Sequence, residues 1–261
     1  MSGAVEVHHV AEAAPGLPEG APVVVLSNSL GSTLGMWDAL APGLSEHFRV
    51  VRYDTRGHGR SPVPQGPYVI DDLADDLLGL LDRLGVERAH VVGLSLGGMT
   101  AMRLAARNPE RVDRLAVLCT SALLGPAQAW LDRAATVRAQ GTGAVAEAVV
   151  SRWYTEEFAA AHPDRIAAAQ AMVAATPPEG YAGCCEAIAA MDLTEDLSSI
   201  AAPTLAIAGA DDPATPPEHL ERIAGGVKDG SLLVVPRAAH LAADEQPEAI
   251  IEALLEHLSA R

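Results

Sequence analysis

Basic residues are scarce in this 261-residue chain, and lysine is represented by Lys228 alone. The 18 lysine and arginine residues stand against 34 aspartate and glutamate residues, which gives a formal net charge of −16 at pH 7. Proteins that bind nucleic acid need a basic patch to neutralise phosphate groups, so this charge argues against a nucleic-acid partner. The same negative field repels an anionic substrate, which would therefore need a local arginine for its binding.

Cysteine and long apolar runs are also scarce. The three cysteines, Cys119, Cys184 and Cys185, form neither a disulfide framework nor the spacing of a metal site, which is typical of a reducing compartment. No apolar run approaches the ~20 residues that a membrane-spanning helix requires. The N-terminal stretch MSGAVEVHHVAEAAPG lacks a basic region followed by an apolar one. We therefore expect no membrane partner, no signal peptide and a cytoplasmic location.

Short apolar runs alternate with longer amphipathic segments along most of the chain. The runs PVVVLSN, FRVVRYD and AHVVGLS are typical of strands, and several lack the alternation that one solvent-exposed face would produce. The segment DDLADDLLGLLDRLGV has helical spacing, with leucines on one face. This order predicts an α/β fold with a mostly parallel, doubly wound sheet and helices on both faces.

One long stretch interrupts this alternation. Residues 125–199 contain no convincing strand, only an alanine-rich helical pattern with two of the three tryptophans. We predict a helical cap at 125–199 that covers the functional face of a sheet domain formed by 1–124 and 200–261.

The segment GLSLGG places Ser95 between Gly93 and Gly97, where a strand pattern ends and a helical pattern begins. This G-x-S-x-G arrangement is typical of a nucleophile elbow, a sharp strand-to-helix turn that exposes the serine hydroxyl. The N-terminus of the following helix offers free N–H groups to a developing oxyanion. We therefore predict that Ser95 is a nucleophile.

A serine nucleophile needs a base and an acid that orients the base. Among the nine histidines, His240 follows the strand pattern SLLVVP in a loop before the last helical segment. The acid is expected after an earlier strand, where Asp211 and Asp212 are adjacent, and the spacing from Gly209 favours Asp212. The remaining carboxylates, including Asp72 and Asp76, are expected on solvated helix faces.

With these three residues the chain resembles the α/β-hydrolase superfamily over essentially its whole length. More narrowly, it resembles the 3-oxoadipate enol-lactonases of aromatic-compound catabolism by the β-ketoadipate pathway. The narrower match rests on LSNSLGSTLGMWD at 26–38, YDTRGHGRS at 53–61, GLSLGGM at 93–99, RWYT at 152–155, GYAGCCEAI at 180–188 and AGADDPATPP at 208–217.

The resemblance implies that the enzyme opens the ring of 3-oxoadipate enol-lactone to give 3-oxoadipate through an acyl-enzyme, with no metal or cofactor. Ser95 would be the nucleophile, Asp212 the acid and His240 the base. Some relatives carry a fused decarboxylase domain, and none is expected here. Arg56 and His58 of the segment DTRGHGRS are expected to shape a loop and not to act in catalysis.

The resemblance also implies two backbone donors to the oxyanion. One is the N–H of Leu96, the residue after the nucleophile. The second lies in the loop after PVVVLS: alignment on Trp37 makes it Leu30, and alignment without that anchor makes it Ser29. The side chain of Asn28 either binds substrate or fixes the loop by bonding nearby backbone.

The lactone carries a free carboxylate, so a local cation is expected. Arg133 lies three residues after Trp130 and shares its helical face, and Arg152 precedes Trp153. We hypothesise that one of these arginines binds the carboxylate of a small anionic lactone. Trp130, Trp153 and Tyr181 either line the pocket or belong to the core of the cap.

Other functions are compatible with the same motifs. These are a general carboxylesterase, a carbon–carbon bond hydrolase of aromatic degradation and a cofactor-free perhydrolase. A non-catalytic ligand-binding protein on this scaffold is a further alternative, since one fold hosts many activities. Turnover of an activated ester would separate it from the enzymes.

Overall fold

The computed structural model describes residues 3–18 and 20–260, so the outermost residues of the predicted sheet domain lie outside it. In the described residues, seven strands form one sheet in the order β1-β3-β2-β4-β5-β6-β7. The strands are β1 (His9–Glu12), β2 (Val23–Ser27), β3 (Arg49–Tyr53), β4 (Ala89–Leu94), β5 (Val112–Leu118), β6 (Thr204–Gly209) and β7 (Gly230–Val235). Only β1 runs antiparallel to its neighbour, and all other pairs are parallel.

Helices cover both faces of the sheet. Helix α2 contacts α3, and α1 contacts α11. The core helices are α1 (Ala41–Ser45), α2 (Ile70–Arg83), α3 (Leu96–Arg107), α9 (Pro217–Gly226), α10 (Ala242–Glu245) and α11 (Pro247–Ser259). The helices between β5 and β6 are α4 (Ala127–Gln140), α5 (Gly143–Val150), α6 (Glu156–Ala161), α7 (Pro163–Ala174) and α8 (Pro178–Ala190). This layered architecture confirms the predicted α/β fold with a mostly parallel, doubly wound sheet.

The central strands explain why the sequence runs lacked alternation. Every residue of β4 and of β6 is buried. Because helices cover both faces, side chains pointing either way are removed from water, and apolar residues are favoured at consecutive positions. None of the helices in the described part of the chain combines the length and the apolar character needed to cross a membrane.

Two aspartates of α2 differ from the sequence-based expectation. Asp72 and Asp76 are buried, whereas the amphipathic pattern placed them on a solvated face. The guanidinium of Arg56, fully buried after β3, donates to both carboxylate oxygens of Asp76 at 2.6 and 2.7 Å. A buried charge needs a partner, and the partner of Asp76 comes from a distant segment that helical periodicity does not reveal.

Helices α4 to α8 form a helical layer, called the cap below. Within the cap, α4 packs on α8 and α5 packs on α7. The cap touches the core closely at Gly180 of α8, where an added Cβ would lie 2.0 Å from the carbonyl oxygen of Gly57. Gly57 and Gly180 are thus both required at this contact. Gly180 lies in the segment GYAGCCEAI, one of those on which the family resemblance rests.

Candidate active site

Ser95 lies at the turn between β4 and α3. Its backbone has φ 55° and ψ −116°, a strained conformation for a residue with a side chain. An added Cβ on Gly93 would lie 2.2 Å from the carbonyl oxygen of Gly97, and one on Gly97 would lie 2.0 Å from that of Ser27. Both glycines are therefore required by close backbone approach, as expected of a nucleophile elbow.

His240 follows β7 and is oriented by a carboxylate that follows β6. Its Nδ1 donates to Oδ2 of Asp212 at 2.8 Å, and both side chains are buried. The same Asp212 oxygen accepts the hydroxyl of Thr215 at 2.7 Å, while the other accepts backbone N–H groups of Ala214 and Thr215 at 2.8 and 3.1 Å. The adjacent Asp211 is exposed, so Asp212 is the aspartate that the fold brings to His240.

The contacts of Asp212 also set its charge. Burial by itself raises the pKa of this carboxyl group, but the charge of His240 and the hydrogen bonds from His240 and Thr215 outweigh burial. The pKa of Asp212 therefore lies below its ordinary value, and the group is ionised at neutral pH. An ionised partner holds the imidazole with its proton on Nδ1, which leaves Nε2 able to accept a proton.

Ser95 and His240 line the same cavity of about 230 Å³ beneath the cap. Ser29 and Leu30 form part of its core side. The cap side includes five residues that the sequence analysis singled out: Trp130, Arg133, Arg152, Trp153 and Tyr181. Trp153 and Tyr181 are also almost completely buried, so they line the pocket and belong to the core of the cap at once.

Two backbone N–H groups beside Ser95 are free to bind an oxyanion. Within residues 3–18 and 20–260, the N–H groups of Leu30 and Leu96 have no hydrogen-bond partner. The N–H of Ser29 instead donates to the Met36 sulfur at 3.3 Å. Leu96 is the first residue of α3, so the positive end of the helix dipole adds to its N–H. Of the two alternatives for the second donor, these contacts favour Leu30 over Ser29.

Asn28 does not reach the cavity. Its side chain is fully buried, its Nδ2 donates to the carbonyl of Tyr53 at 2.7 Å, and its Oδ1 accepts the Trp37 indole N–H at 2.9 Å. All of these contacts fix the loop after β2. The candidate assignment of Asn28 to substrate binding is therefore replaced by the loop-fixing alternative, because its polar atoms are engaged by Tyr53 and Trp37, which do not line the cavity.

Two arginines give the cavity a positive wall. The guanidinium of Arg133 lies over the Trp130 ring, 4.5 Å from its centroid, and Arg152 lines the same cavity. Among the ion pairs of the described residues, none involves either arginine. Burial, and next the nearby charge of Arg133, lower the pKa of Arg152. In the described part of this acidic chain, two cationic side chains beside Ser95 thus have no carboxylate partner.

Comparison with a family model decides the classification. The model described as alpha/beta hydrolase fold matches residues 22–247. The chain belongs to this family.

Individual relatives show which members of the family this chain resembles. The curated 3-oxoadipate enol-lactonase 2 of Acinetobacter baylyi is 41% identical over 163 residues, which cover 62% of this chain and 61% of that protein. The chain thus spans about three fifths of the length of this curated relative. The crystal structure of the enol-lactonase from Burkholderia xenovorans LB400 has 39% identity and a TM-score of 0.94, covering 98% of this chain and 97% of that one.

A thermophilic esterase from Thermogutta terrifontis, solved with malate bound, is also similar. It has 30% identity and a TM-score of 0.90, covering 97% of this chain and 93% of that one. Together the comparisons confirm the α/β-hydrolase fold and the resemblance to enol-lactonases. They also support the prediction of a hydrolase enzyme.

The sequence reasoning missed two side chains that organise this site. Thr215 bonds Asp212, and the segment DPAT could have indicated it, because aspartate commonly accepts N–H groups two and three residues ahead of it. Met36 engages the Ser29 N–H through its sulfur, and no sequence signal indicates that contact.

Proposed function

We propose that the protein is a serine hydrolase that opens the lactone ring of 3-oxoadipate enol-lactone to give 3-oxoadipate. Ser95 is the nucleophile, His240 the general base and Asp212 the orienting acid. The observation that carries the proposal is the pair of arginines, Arg133 and Arg152, in the cavity of Ser95, neither of which forms an ion pair with a carboxylate of residues 3–18 or 20–260. An unpaired cation in a cavity favours a substrate with a carboxylate, and the enol-lactone has one.

In the first step Oγ of Ser95 attacks the lactone carbonyl carbon while His240 takes the hydroxyl proton. The carbonyl oxygen becomes an oxyanion, and the N–H groups of Leu30 and Leu96 bind it. Each such donor contributes on the order of 3 kcal/mol to the stability of the transition state. Collapse of the tetrahedral intermediate breaks the ring C–O bond and leaves an acyl-enzyme.

The leaving group favours the reaction in the forward direction. The expelled oxygen is that of an enol, which takes the proton from His240 and rearranges to a ketone. Rearrangement removes the nucleophile that could close the ring again. A water molecule, activated by His240, then attacks the acyl-enzyme and releases the carboxylic acid and Ser95.

Substrate binding rests on the cap arginines. The net charge of −16 opposes the approach of an anion, so attraction has to be local. Arg133 is held over Trp130, which keeps its guanidinium directed along one face of α4. A bidentate pair between a guanidinium and a carboxylate would orient the lactone as well as bind it.

The test is a spectrophotometric assay of enol-lactone loss, with the lactone generated in situ, for the wild type and Ser95→Ala. We expect rapid loss with the wild type and none above background with the variant. Equal loss in both would contradict the role of Ser95.

A second candidate function is that of a general carboxylesterase, favoured by the likeness to the Thermogutta terrifontis esterase. Hydrolysis of short-chain nitrophenyl esters without turnover of the lactone would establish this alternative and reject the lactonase proposal.

A further inference from the structure

His58 lies in the turn after β3 and is completely buried. Its Nδ1 is 3.1 Å from the carbonyl oxygen of Arg56, and its Nε2 is 3.0 Å from the backbone nitrogen of Gly31. A carbonyl oxygen only accepts, so Nδ1 carries the proton. A backbone N–H only donates, so Nε2 presents its lone pair. The neutral imidazole protonated on Nδ1 is the one state that satisfies both contacts.

Gly31 directly follows Leu30, the proposed oxyanion donor. We call residues 28–33 the donor loop. Gly31 adopts φ +80°, and an added Cβ there would lie 3.1 Å from the Tyr181 ring of the cap. Gly31 is therefore held between His58 on the core side and Tyr181 on the cap side.

The contact with His58 constrains the peptide group on one side of the Leu30 Cα. The N–H of Leu30 itself belongs to the peptide group on the other side, whose carbonyl oxygen on Ser29 accepts the Ser32 hydroxyl at 2.7 Å. The N–H of the preceding peptide group, on Ser29, is engaged by Met36. Both flanks of the donor are thus held by side chains, by His58 from outside the donor loop on one side and by Ser32 within it on the other. Loss of the imidazole acceptor would leave a buried Gly31 N–H without a partner, and the loop would shift to satisfy it.

His58 does not line the cavity of Ser95 and so does not touch a substrate there. Burial lowers the pKa of its imidazole, which keeps the neutral form present at physiological pH. Its sequence context, between Gly57 and Gly59, indicated a loop-shaping residue. The structure shows that His58 contacts the donor loop.

We propose that His58 is a positioning residue for the oxyanion hole, whose Nε2 holds the Gly31 N–H and thereby places the Leu30 N–H for the reaction. This inference rests on the proposed serine hydrolase function. It predicts an effect on the transition state and little effect on ground-state binding, because the oxyanion exists only after attack by Ser95.

The test compares His58→Asn with His58→Gln. The Asn amide occupies the region of Nδ1 and keeps a donor for Arg56 but offers no acceptor to Gly31, whereas the Gln amide oxygen reaches the region of Nε2. The matched control is His90→Asn, which removes another buried histidine at the opposite end of β4 from Ser95. All variants are assayed on a short-chain nitrophenyl ester and on the lactone, with thermal unfolding as the measure of folding.

We expect His58→Asn to lower kcat at least about tenfold, towards the roughly hundredfold loss that follows removal of an oxyanion donor, with KM changed less than about threefold. His58→Gln should recover most of this loss, and His90→Asn should keep wild-type kcat. Affinity for butylboronic acid, which forms a tetrahedral anion on the serine, should fall in parallel with kcat/KM across the variants.

Equal kcat in His58→Asn and wild type would overturn the inference. Equal losses in the Asn and Gln variants, tracking thermal stability, would also overturn it, because a merely structural role predicts them. If the wild type ignores the lactone but hydrolyses the ester, the substrate assignment fails while the variants still test His58 on the ester. If the wild type hydrolyses neither, the proposed function and this inference both fail.

A measurement on the wild type covers the case in which the variants do not fold. The nitrogen chemical shifts of histidine labelled with ¹⁵N distinguish the two neutral tautomers and the cation. A neutral His58 with the proton on Nδ1 is expected at pH 7. A proton on Nε2 would reject the contact with Gly31 and the proposal with it.

Discussion

The core and the cap contribute different chemistry to one cavity. The core places Ser95, Asp212 and His240 in loops at the ends of parallel strands, where backbone geometry holds them. The cap contributes aromatic rings and two arginines, Arg133 and Arg152, carried on and beside its helices. The core arginine Arg56 shows the contrast, because it is fully buried and paired with Asp76. Under the proposed function, reaction chemistry would reside in the sheet and selection of the substrate in the cap.

The largest effect is expected from Asp212→Asn in the core. The amide cannot hold the His240 proton on Nδ1 as the carboxylate does, so kcat should fall by about 10⁴-fold on lactone and ester alike. The matched control is Asp211→Asn at the exposed neighbouring position, which should stay within about twofold of wild type. The reverse outcome would show that the acid had been assigned to the wrong aspartate.

A second core variant, Gly97→Ala, tests the close approach at the elbow. The new methyl group would lie 2.0 Å from the Ser27 carbonyl, so β2 and α3 would separate. We expect a loss of activity and a decrease of about 1–3 kcal/mol in the free energy of unfolding. Gly225→Ala is the control, because its Cβ meets nothing within 4 Å in α9. Urea denaturation should find that control unchanged or more stable.

Substitutions in the cap should change binding and spare the chemistry. The two variants are Arg133→Ala and Arg152→Ala. Removal of the arginine that binds the substrate carboxylate is expected to raise KM for the lactone by about 10- to 100-fold. KM for an uncharged nitrophenyl ester should not change. Arg138→Ala on the same helix as Arg133 is the control, since Arg138 is paired with Glu179 and Glu186. A fall in kcat of either cap variant on the uncharged ester would contradict the assignment of binding to the cap and of chemistry to the core.

The smallest expected effect is a decrease in stability at low pH, caused by buried histidines of the core. Burial lowers the pKa of His58, His90 and His257 below the ordinary value of 6.5. Below pH 6.5 the unfolded chain binds protons that the folded protein excludes. Stability should therefore be fully present above pH 6.5 and fall as the pH decreases below it.

Urea midpoints at pH 7.5 and 5.5 check this prediction. The midpoint should be lower at pH 5.5, and the variant His90→Phe should show a smaller difference than the wild type, since one titrating group is gone. A midpoint that does not change between these pH values would contradict it.

Local motifs explain why much of the site could be anticipated. Ser95 lies in a five-residue pattern. The two glycines of this pattern are required by close contacts within the elbow and with the neighbouring strand. His240 is recognisable from chain order and from its position after an apolar run. The α/β class follows from the alternation of strands and helices, which depends on periodicity alone.

Contacts between distant segments explain what could not be anticipated. The side chain of Asn28 is engaged by Tyr53 and Trp37, so it is absent from the pocket that the sequence offered as one alternative. Asp76 is buried because Arg56, 20 residues earlier, pairs with it. Neither pairing has a periodic signature, because each depends on how two separate elements approach one another.

The sequence by itself determined the class of fold, the elbow at Ser95 and the short set of candidates for base, acid and substrate cation, because these follow from local residue patterns and from chain order. The tertiary structure decided between alternatives that the sequence left open: it brings Asp212 and not Asp211 to His240, and among the described residues it leaves the N–H of Leu30 and not that of Ser29 without a partner. It also shows that Arg133 and Arg152 face one cavity. Each of these decisions is a matter of distance between groups far apart in the chain. Hydrogen bonds and ion pairs act over a few ångströms, so only packing determines which groups they join.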